Sequence, residues 1–169
     1  MIESESFKKG GETEQKFILS LLGLGRNFKY KHASESQDIA DHWDWAVKNL
    51  DTEKISLIDV KSECGIRHDS IKKFDYVWVE YANVRGDHGS INGKANYMAF
   101  LQEDYFLIVE RLALRDFCNK KINFNRIVSS PKQAVYKIYM RKGKKDRISL
   151  IPKKDIIEDI KCWKLKVLK

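Results

Sequence analysis

Residues 41–63, DHWDWAVKNLDTEKISLIDVKSE, constrain this chain's fold more than any other stretch. They read as two short strands, 42–48 and 55–61, joined by a polar turn at 49–54 rich in residues that favour bends. The second strand is apolar and rich in β-branched residues until it ends in Asp59, Val60 and Lys61. Side chains two apart share a strand face, so Asp59 and Lys61 point one way and Val60 the other. A hairpin brings Asp44, lying between Trp43 and Trp45 on the first strand, beside them. Two carboxylates and an ammonium then converge at one spot. The carboxylates are hard oxygen ligands suited to Mg²⁺, or to Mn²⁺ in its place, so the spot reads as a metal site with a catalytic lysine. Asp38 and Asp41 are rivals to Asp44, which is preferred because it sits inside the strand pattern, with Trp43 and Trp45 on the opposite face. His42 is expected to share the face of Asp44 as a neighbour or substrate contact rather than a ligand, since Mg²⁺ prefers oxygen.

The tripeptide [DE]-x-K occurs three times, at Glu14–Lys16, Asp59–Lys61 and Asp159–Lys161, about as often as chance allows in a chain this rich in acids and lysines. Only the middle one ends an apolar strand and follows a strand bearing another Asp. That arrangement resembles the active site of the PD-(D/E)XK nuclease superfamily. A second piece of the resemblance lies in Lys9-Gly10-x-x-x-Glu14 ahead of an apolar helix, which is similar to the opening of Holliday-junction-resolvase-like members. The resemblance implies a restriction-endonuclease-like α/β core and Mg²⁺-dependent hydrolysis of DNA. It implies Asp44, Asp59, Lys61 and Glu14 as catalytic residues, and Asp44, Asp59 and Glu14 as metal ligands. Glu12 and Glu80 remain alternatives to Glu14. Small phage-encoded members, which carry a glycine-rich loop after the third strand and a basic C-terminal hairpin, are also similar. No proline precedes Asp44, a departure from the family pattern that many members share.

The rest of the chain supplies the scaffold. A helix over 9–22 buries Phe17, Ile18, Leu21 and Leu22 at amphipathic spacing and stops at Gly23 and Gly25. A short strand near 28–31 leads to a polar loop at 34–38. A charged loop over 62–73 carries Arg67, His68, Lys72 and Lys73, and a third strand covers 75–81. If that strand pairs with the second, Glu80 lies beside Asp59. Residues 83–93 read as a mobile loop at the mouth of the site, with Arg85, and Lys94 just beyond, as nucleic-acid contacts. The loop lacks the GxxxxGK[ST] of a phosphate-binding loop, which argues against an ATPase, and His88 has no partner at the spacing of an HNH site. Strands at 97–101 and 105–110 precede a helix at 111–121. A hairpin over 134–151 carries Lys142, Lys144, Lys145 and Arg147 at its tip, and a last helix or strand follows Pro152. The expected fold is therefore α/β: an N-terminal helix on a mixed sheet, with a basic hairpin near the C-terminus.

Charge sharpens the choice of partner. Residues 1–120 hold 17 Lys and Arg against 20 Asp and Glu, whereas 121–169 hold 15 against 4, so an acidic catalytic part and a basic arm suited to a polyanion are expected. With 169 residues, 43% of them hydrophobic, one domain is expected, its core at about 8–120 and its basic part at about 121–169. Three widely spaced cysteines without a CxxC pair argue for a reducing cytoplasm and against structural zinc. The polar start and the lack of an apolar run argue against a signal peptide or membrane span. DNA is the expected partner, and a homodimer is compatible with the superfamily. The alternatives are a nucleic-acid-binding module without turnover and a protein-interaction factor acting against host defence.

Overall fold

The computed structural model describes residues 5–64 and 74–168, so the charged positions Arg67, His68, Lys72 and Lys73 lie outside the described residues. The chain is mixed α/β, with four α-helices and two mixed sheets among the described residues, and divides into two compact units. One comprises Met1–Glu63, Lys94–Ile108 and Trp163–Lys169, and the other Cys64–Gly93 and Val109–Cys162. The chain thus passes repeatedly between units, and the division does not follow the change of charge near residue 121. Among the described residues no helix is long and apolar enough to cross a membrane.

The first unit is built on helix α1 (Glu5–Leu22) and a six-stranded sheet. The strands are β1 (Phe28–His32), β2 (Trp45–Asn49), β3 (Ile55–Lys61), β5 (Tyr97–Leu101), β6 (Tyr105–Glu110) and β10 (Cys162–Lys166), adjacent in that order. β2 is antiparallel to β1 and to β3, while β3 is parallel to β5 with Asp59 opposite Met98. Phe17 and Ile18, one turn after Thr13 on the buried stripe of α1, pack on Val47, Ile58 and Val60 of the sheet. Phe17 meets Phe106 edge to face at 5.2 Å. Full burial of one such ring contributes about 1.5–3 kcal/mol, enough to fix which face of the sheet the helix covers. The opposite face carries a smaller cluster of Ala33, Trp43 and Ala95 with Ala46 and Leu57.

The loop expected at 34–38 is instead helix α2 (Glu35–Asp41). Its start is a capping box: Ser34 accepts from the Gln37 amide, and the Gln37 side chain accepts from the Ser34 amide. His42 ends it in the left-handed conformation, φ 54°, which turns the chain toward β2. The first strand consequently begins at Trp45, not at 42, and Asp44 occupies a bend just before it. Alternation breaks there, so Trp43 joins the Ala33 cluster while Trp45 packs on the α1 side, rather than both lying opposite Asp44 on one face.

The second unit carries a four-stranded sheet in the order β4 (Tyr76–Ala82), β9 (Arg147–Pro152), β8 (Lys137–Tyr139), β7 (Asn123–Val128). Helix α3 (Arg111–Lys121) buries Leu114, Phe117 and Cys118, and α4 (Lys153–Asp159) buries Ile156. β4 pairs antiparallel with β9, whose Leu150 and Ile151 are fully buried. The condition set for Glu80 is not met: β3 takes β2 and β5 as its neighbours, so Glu80 does not flank Asp59 in a ladder. The basic hairpin is present but short, because the strand expected over 134–141 narrows to Lys137–Tyr139, after a 3₁₀ turn and a left-handed Tyr136 (φ 54°).

Candidate active site

The carboxylates are assembled by the end of the β2–β3 ladder. The Asp44 amide donates to the Ile58 carbonyl, and the Asp44 carbonyl is taken by the Ala33 amide. With that carbonyl engaged, the next donor on β3, the Val60 amide, is met by the side chain instead: Val60 N–H donates to Asp44 Oδ2 at 2.6 Å. A carboxylate thus replaces a main-chain oxygen in the ladder, which fixes its rotamer and directs it toward the Asp59 position. Both groups are nearly closed to solvent, Asp44 at 6% exposure and Asp59 at 2%. Lys61 Nζ lies 2.8 Å from Asp59 Oδ1, while Asp59 Oδ2 is buried without a hydrogen-bond partner among the described residues. The alternation inferred for Asp59, Val60 and Lys61 appears in the side-chain contacts, since Val60 packs on the α1 face and Lys61 meets Asp59.

Electrostatics follow from this crowding. Burial, and next to it the charge of Asp59, push the Asp44 carboxyl well above the usual carboxylate range, against the opposing pull of Lys61 and the Val60 amide. Asp38, on the exposed side of α2, is raised by partial desolvation, with Lys61 opposing and Glu14 and Asp59 adding. Four acids and one ammonium therefore share one field.

Glu14 is brought near but differently engaged than expected. Its Oε2 lies 2.8 Å from His32 Nε2, and His32 Nδ1 lies 2.8 Å from the Ala33 carbonyl oxygen. A carbonyl and a carboxylate both accept, so the protonated ring, with a proton on each nitrogen, is the form that satisfies both contacts. Burial alone lowers the His32 pKa, but the bonds to Glu14 and to the Ala33 carbonyl outweigh it and leave it raised. Among the described residues no three of His, Cys, Asp and Glu cluster as metal ligands on their own. The site so formed has two carboxylates at its centre and Glu14 held at its side by His32. Glu12, the fallback, is exposed. Of the rivals to Asp44, Asp41 is ion-paired with Lys94 at 2.8 Å. The sequence does not single out His32, because nothing local marks a histidine at the end of a polar strand. Only the β1–β2 register, with His32 opposite Trp45, carries it to the site. The helix opening that carries Glu14 is anchored to the residues just after β3, at the site's own end of the strand, by Lys9–Glu63 at 2.6 Å and by the Thr13 and Ser62 hydroxyls at 2.9 Å.

The expected nucleic-acid contacts separate into two groups. Lys94 belongs to the first unit and to the Asp41 ion pair. Arg85, Lys142, Lys144, Lys145 and Arg147 belong to the second, which holds 19 Lys and Arg against 10 Asp and Glu, whereas the first holds 13 against 14. There the 83–93 loop and the hairpin tip are joined: the Lys145 amide donates to the Val84 carbonyl at 3.2 Å. Gly86, at φ 92°, lies under the Lys145 stem, where an added Cβ would crowd it at 3.2 Å and strain the backbone. The loop is not the loose segment expected. Asn83 Oδ1 accepts from the Arg85 and Asp87 amides, and Ile91 is fully buried under a bond from Arg111 to its carbonyl. The tip is organised by Asp146, itself fully buried, which accepts from the Arg141 amide at 3.2 Å and from Arg141 Nε at 2.5 Å. The result is a two-loop ridge with Arg85, Lys142, Lys144, Lys145 and Arg147 all exposed.

No protein-family model, curated protein or solved structure matches the chain.

Proposed function

We propose that the chain is a Mg²⁺-dependent deoxyribonuclease with a restriction-endonuclease-like core of the PD-(D/E)XK kind, acting on DNA in the cytoplasm, including that of a host cell if it is phage-encoded. The observation that carries the proposal is the convergence of Asp44, Asp59 and Lys61 where β2 begins and β3 ends, with a buried Asp59 oxygen that has no partner among the described residues. That orphaned oxygen and the hard oxygen donors suit Mg²⁺, or Mn²⁺, either of which accepts few protein ligands and keeps several waters. Asp44 and Asp59 would hold the ion, which when bound supplies charge neutralisation at the phosphate and a more acidic water. The Val60 amide keeps Asp44 in one orientation and lowers the cost of ionising it. Lys61, tethered to Asp59 Oδ1, offers its ammonium to the attacking water or to a phosphate oxygen; it positions charge rather than serving as a ligand. The ridge of Arg85, Lys142, Lys144, Lys145 and Arg147 grips phosphates without reading bases. Incubation of supercoiled, linear, single-stranded and four-way-junction DNA with Mg²⁺, Mn²⁺ or EDTA tests the proposal. We expect metal-dependent strand cleavage by the wild type that Asp59→Asn abolishes. Binding without cleavage in any metal would favour the non-catalytic module, and indifference to every DNA the protein-interaction factor.

A further inference from the structure

The strands that carry the carboxylates present a second, chemically different feature on their other face. Side chains alternate along β3, so Ser56 and Ile58 turn away from Asp59 and Lys61. Over them, in the first unit alone, lies a cavity of about 350 Å³. Its floor is apolar and closed to solvent: Phe17 at 0% exposure, Val47 at 6% and Ile58 at 6%. Its walls add the rings of Phe28, Tyr97 and Trp163, the last two edge to face with centroids 5.7 Å apart. Trp163 is 42% exposed, large for an indole that has a wall to pack against. Two charged side chains line the cavity, Arg26 and Lys54; both are cations and both lie exposed at the rim. Polar groups come from Ser56, Thr52 and Asn49, whose Oδ1 accepts from the Asp51 and Thr52 amides and so shapes the turn that forms one lip.

A buried apolar floor, aromatic walls, a few hydroxyl and amide groups and a rim of one sign are the features of a small-ligand site, and the volume falls within the range of such sites. We propose that this cavity binds a small amphipathic anion, a flat aromatic body carrying one carboxylate, with the ring among Phe28, Tyr97 and Trp163 and the carboxylate at Arg26 and Lys54. The body buries apolar area against edge-to-face partners, and the rim supplies charge-assisted hydrogen bonds to the head. A cationic or neutral body of the same shape gains the first contribution and lacks the second. Nothing in this site draws on Asp44, Asp59 or Lys61, so it stands or falls separately from the nuclease proposal.

The test is an amide-resolved NMR titration of the full chain with 2-naphthoate, 2-naphthylmethanol and 2-naphthylmethylammonium. We expect saturable shifts at residues 47–58 and at the Trp163 indole N–H, in the affinity order carboxylate, alcohol, ammonium. In the Arg26→Glu, Lys54→Glu double variant, which changes only exposed side chains, the carboxylate should bind about tenfold more weakly and the ammonium more tightly. Trp163→Ala should weaken all three, and Asp59→Asn none. Equal affinity for the three probes, an unchanged affinity in the double variant, shifts confined to the 142–147 tip, or no saturable binding at millimolar probe would each overturn the proposal.

Discussion

Replacing Asp44 by asparagine should make the protein more stable while destroying the proposed centre. Asp44 is 6% exposed, accepts the Val60 N–H at 2.6 Å and lies in the field of Asp59. Asparagine keeps the volume and an oxygen for the Val60 amide, and removes the charge. Burial and Asp59 push the Asp44 pKa up from 3.8 to about 8. At roughly 1.4 kcal/mol per unit, ionising Asp44 in the folded chain then costs at most about 6 kcal/mol, and local relaxation reduces this to a realised gain of about 2–3 kcal/mol on neutralisation. In a chain of this size 1 kcal/mol moves Tm by about 2–4 °C, so Asp44→Asn should melt about 4–12 °C above the wild type near pH 8. Between the ordinary carboxyl pKa and the raised one, the folded chain keeps a proton that the unfolded chain has lost. Wild-type stability therefore falls as pH rises from about 4 to 8, and the variant is flatter across that window. Thermal melts followed by circular dichroism in EDTA, from pH 5 to 8.5, measure both effects. Added Mg²⁺ should recover stability in the wild type at the alkaline end and leave the variant unmoved, because the ion takes the ionised pair. A variant that melts below the wild type at pH 8, or a wild-type Tm that climbs from pH 5 to 8, refutes the reasoning.

Three further outcomes follow from other interactions. His32→Gln should remove the pH dependence of the Glu14 pair, whose stabilisation is present below the ordinary histidine pKa and is lost as pH rises through the raised one; comparing wild-type and variant melts at pH 5.5 and 8 reads it, and an identical difference in both proteins excludes the imidazolium. Asp146→Ala strips the hairpin tip of two accepted bonds and should lower stability by about 1–3 kcal/mol in urea denaturation, with a matching loss of DNA affinity; full affinity in a destabilised variant would detach the tip from binding. Lys144→Ala with Lys145→Ala, in an Asp59→Asn background, should flatten the log–log salt dependence of duplex binding by about 0.9 for each phosphate the variant no longer neutralises, and an unchanged slope would mean the ridge does not meet DNA.

Legibility from sequence tracks how local the determining interactions are. β3 at Ile55–Lys61, β5 at Tyr97–Leu101, β6 at Tyr105–Glu110 and α3 at Arg111–Lys121 are readable to the residue, because apolar runs of the right period end at clear polar punctuation. α2 escapes the sequence reading although its signal is present: Ser34 and Gln37 stand at capping-box spacing, but ESQDIAD buries nothing and so has no hydrophobic stripe to notice. β7 escapes it for a similar reason, since Asn123–Val128 is an edge strand with exposed polar positions. The partners of β3 and β4 cannot be read, because sheet order joins residues far apart in sequence, and so the condition for Glu80 to lie beside Asp59 cannot be decided there. Likewise the spacing of Asp44, Asp59 and Lys61 is visible in one hairpin, whereas His32 reaches Glu14 only through the β1–β2 register and the approach of α1.

The central claim is that Asp44 and Asp59 hold a divalent ion and that Lys61 acts on the water or phosphate beside it. Calorimetric Mn²⁺ binding and single-turnover DNA cleavage, measured on the same preparations of wild type, Asp59→Asn and Lys61→Ala, test it most directly. We expect Asp59→Asn to lose both, and Lys61→Ala to keep Mn²⁺ binding while cleavage falls by about a hundredfold or more, the scale of a positioned acid–base group. Lys61→Ala losing Mn²⁺ affinity as fully as Asp59→Asn would contradict the role assigned to the lysine, and Asp59→Asn retaining wild-type binding and cleavage would remove the site itself.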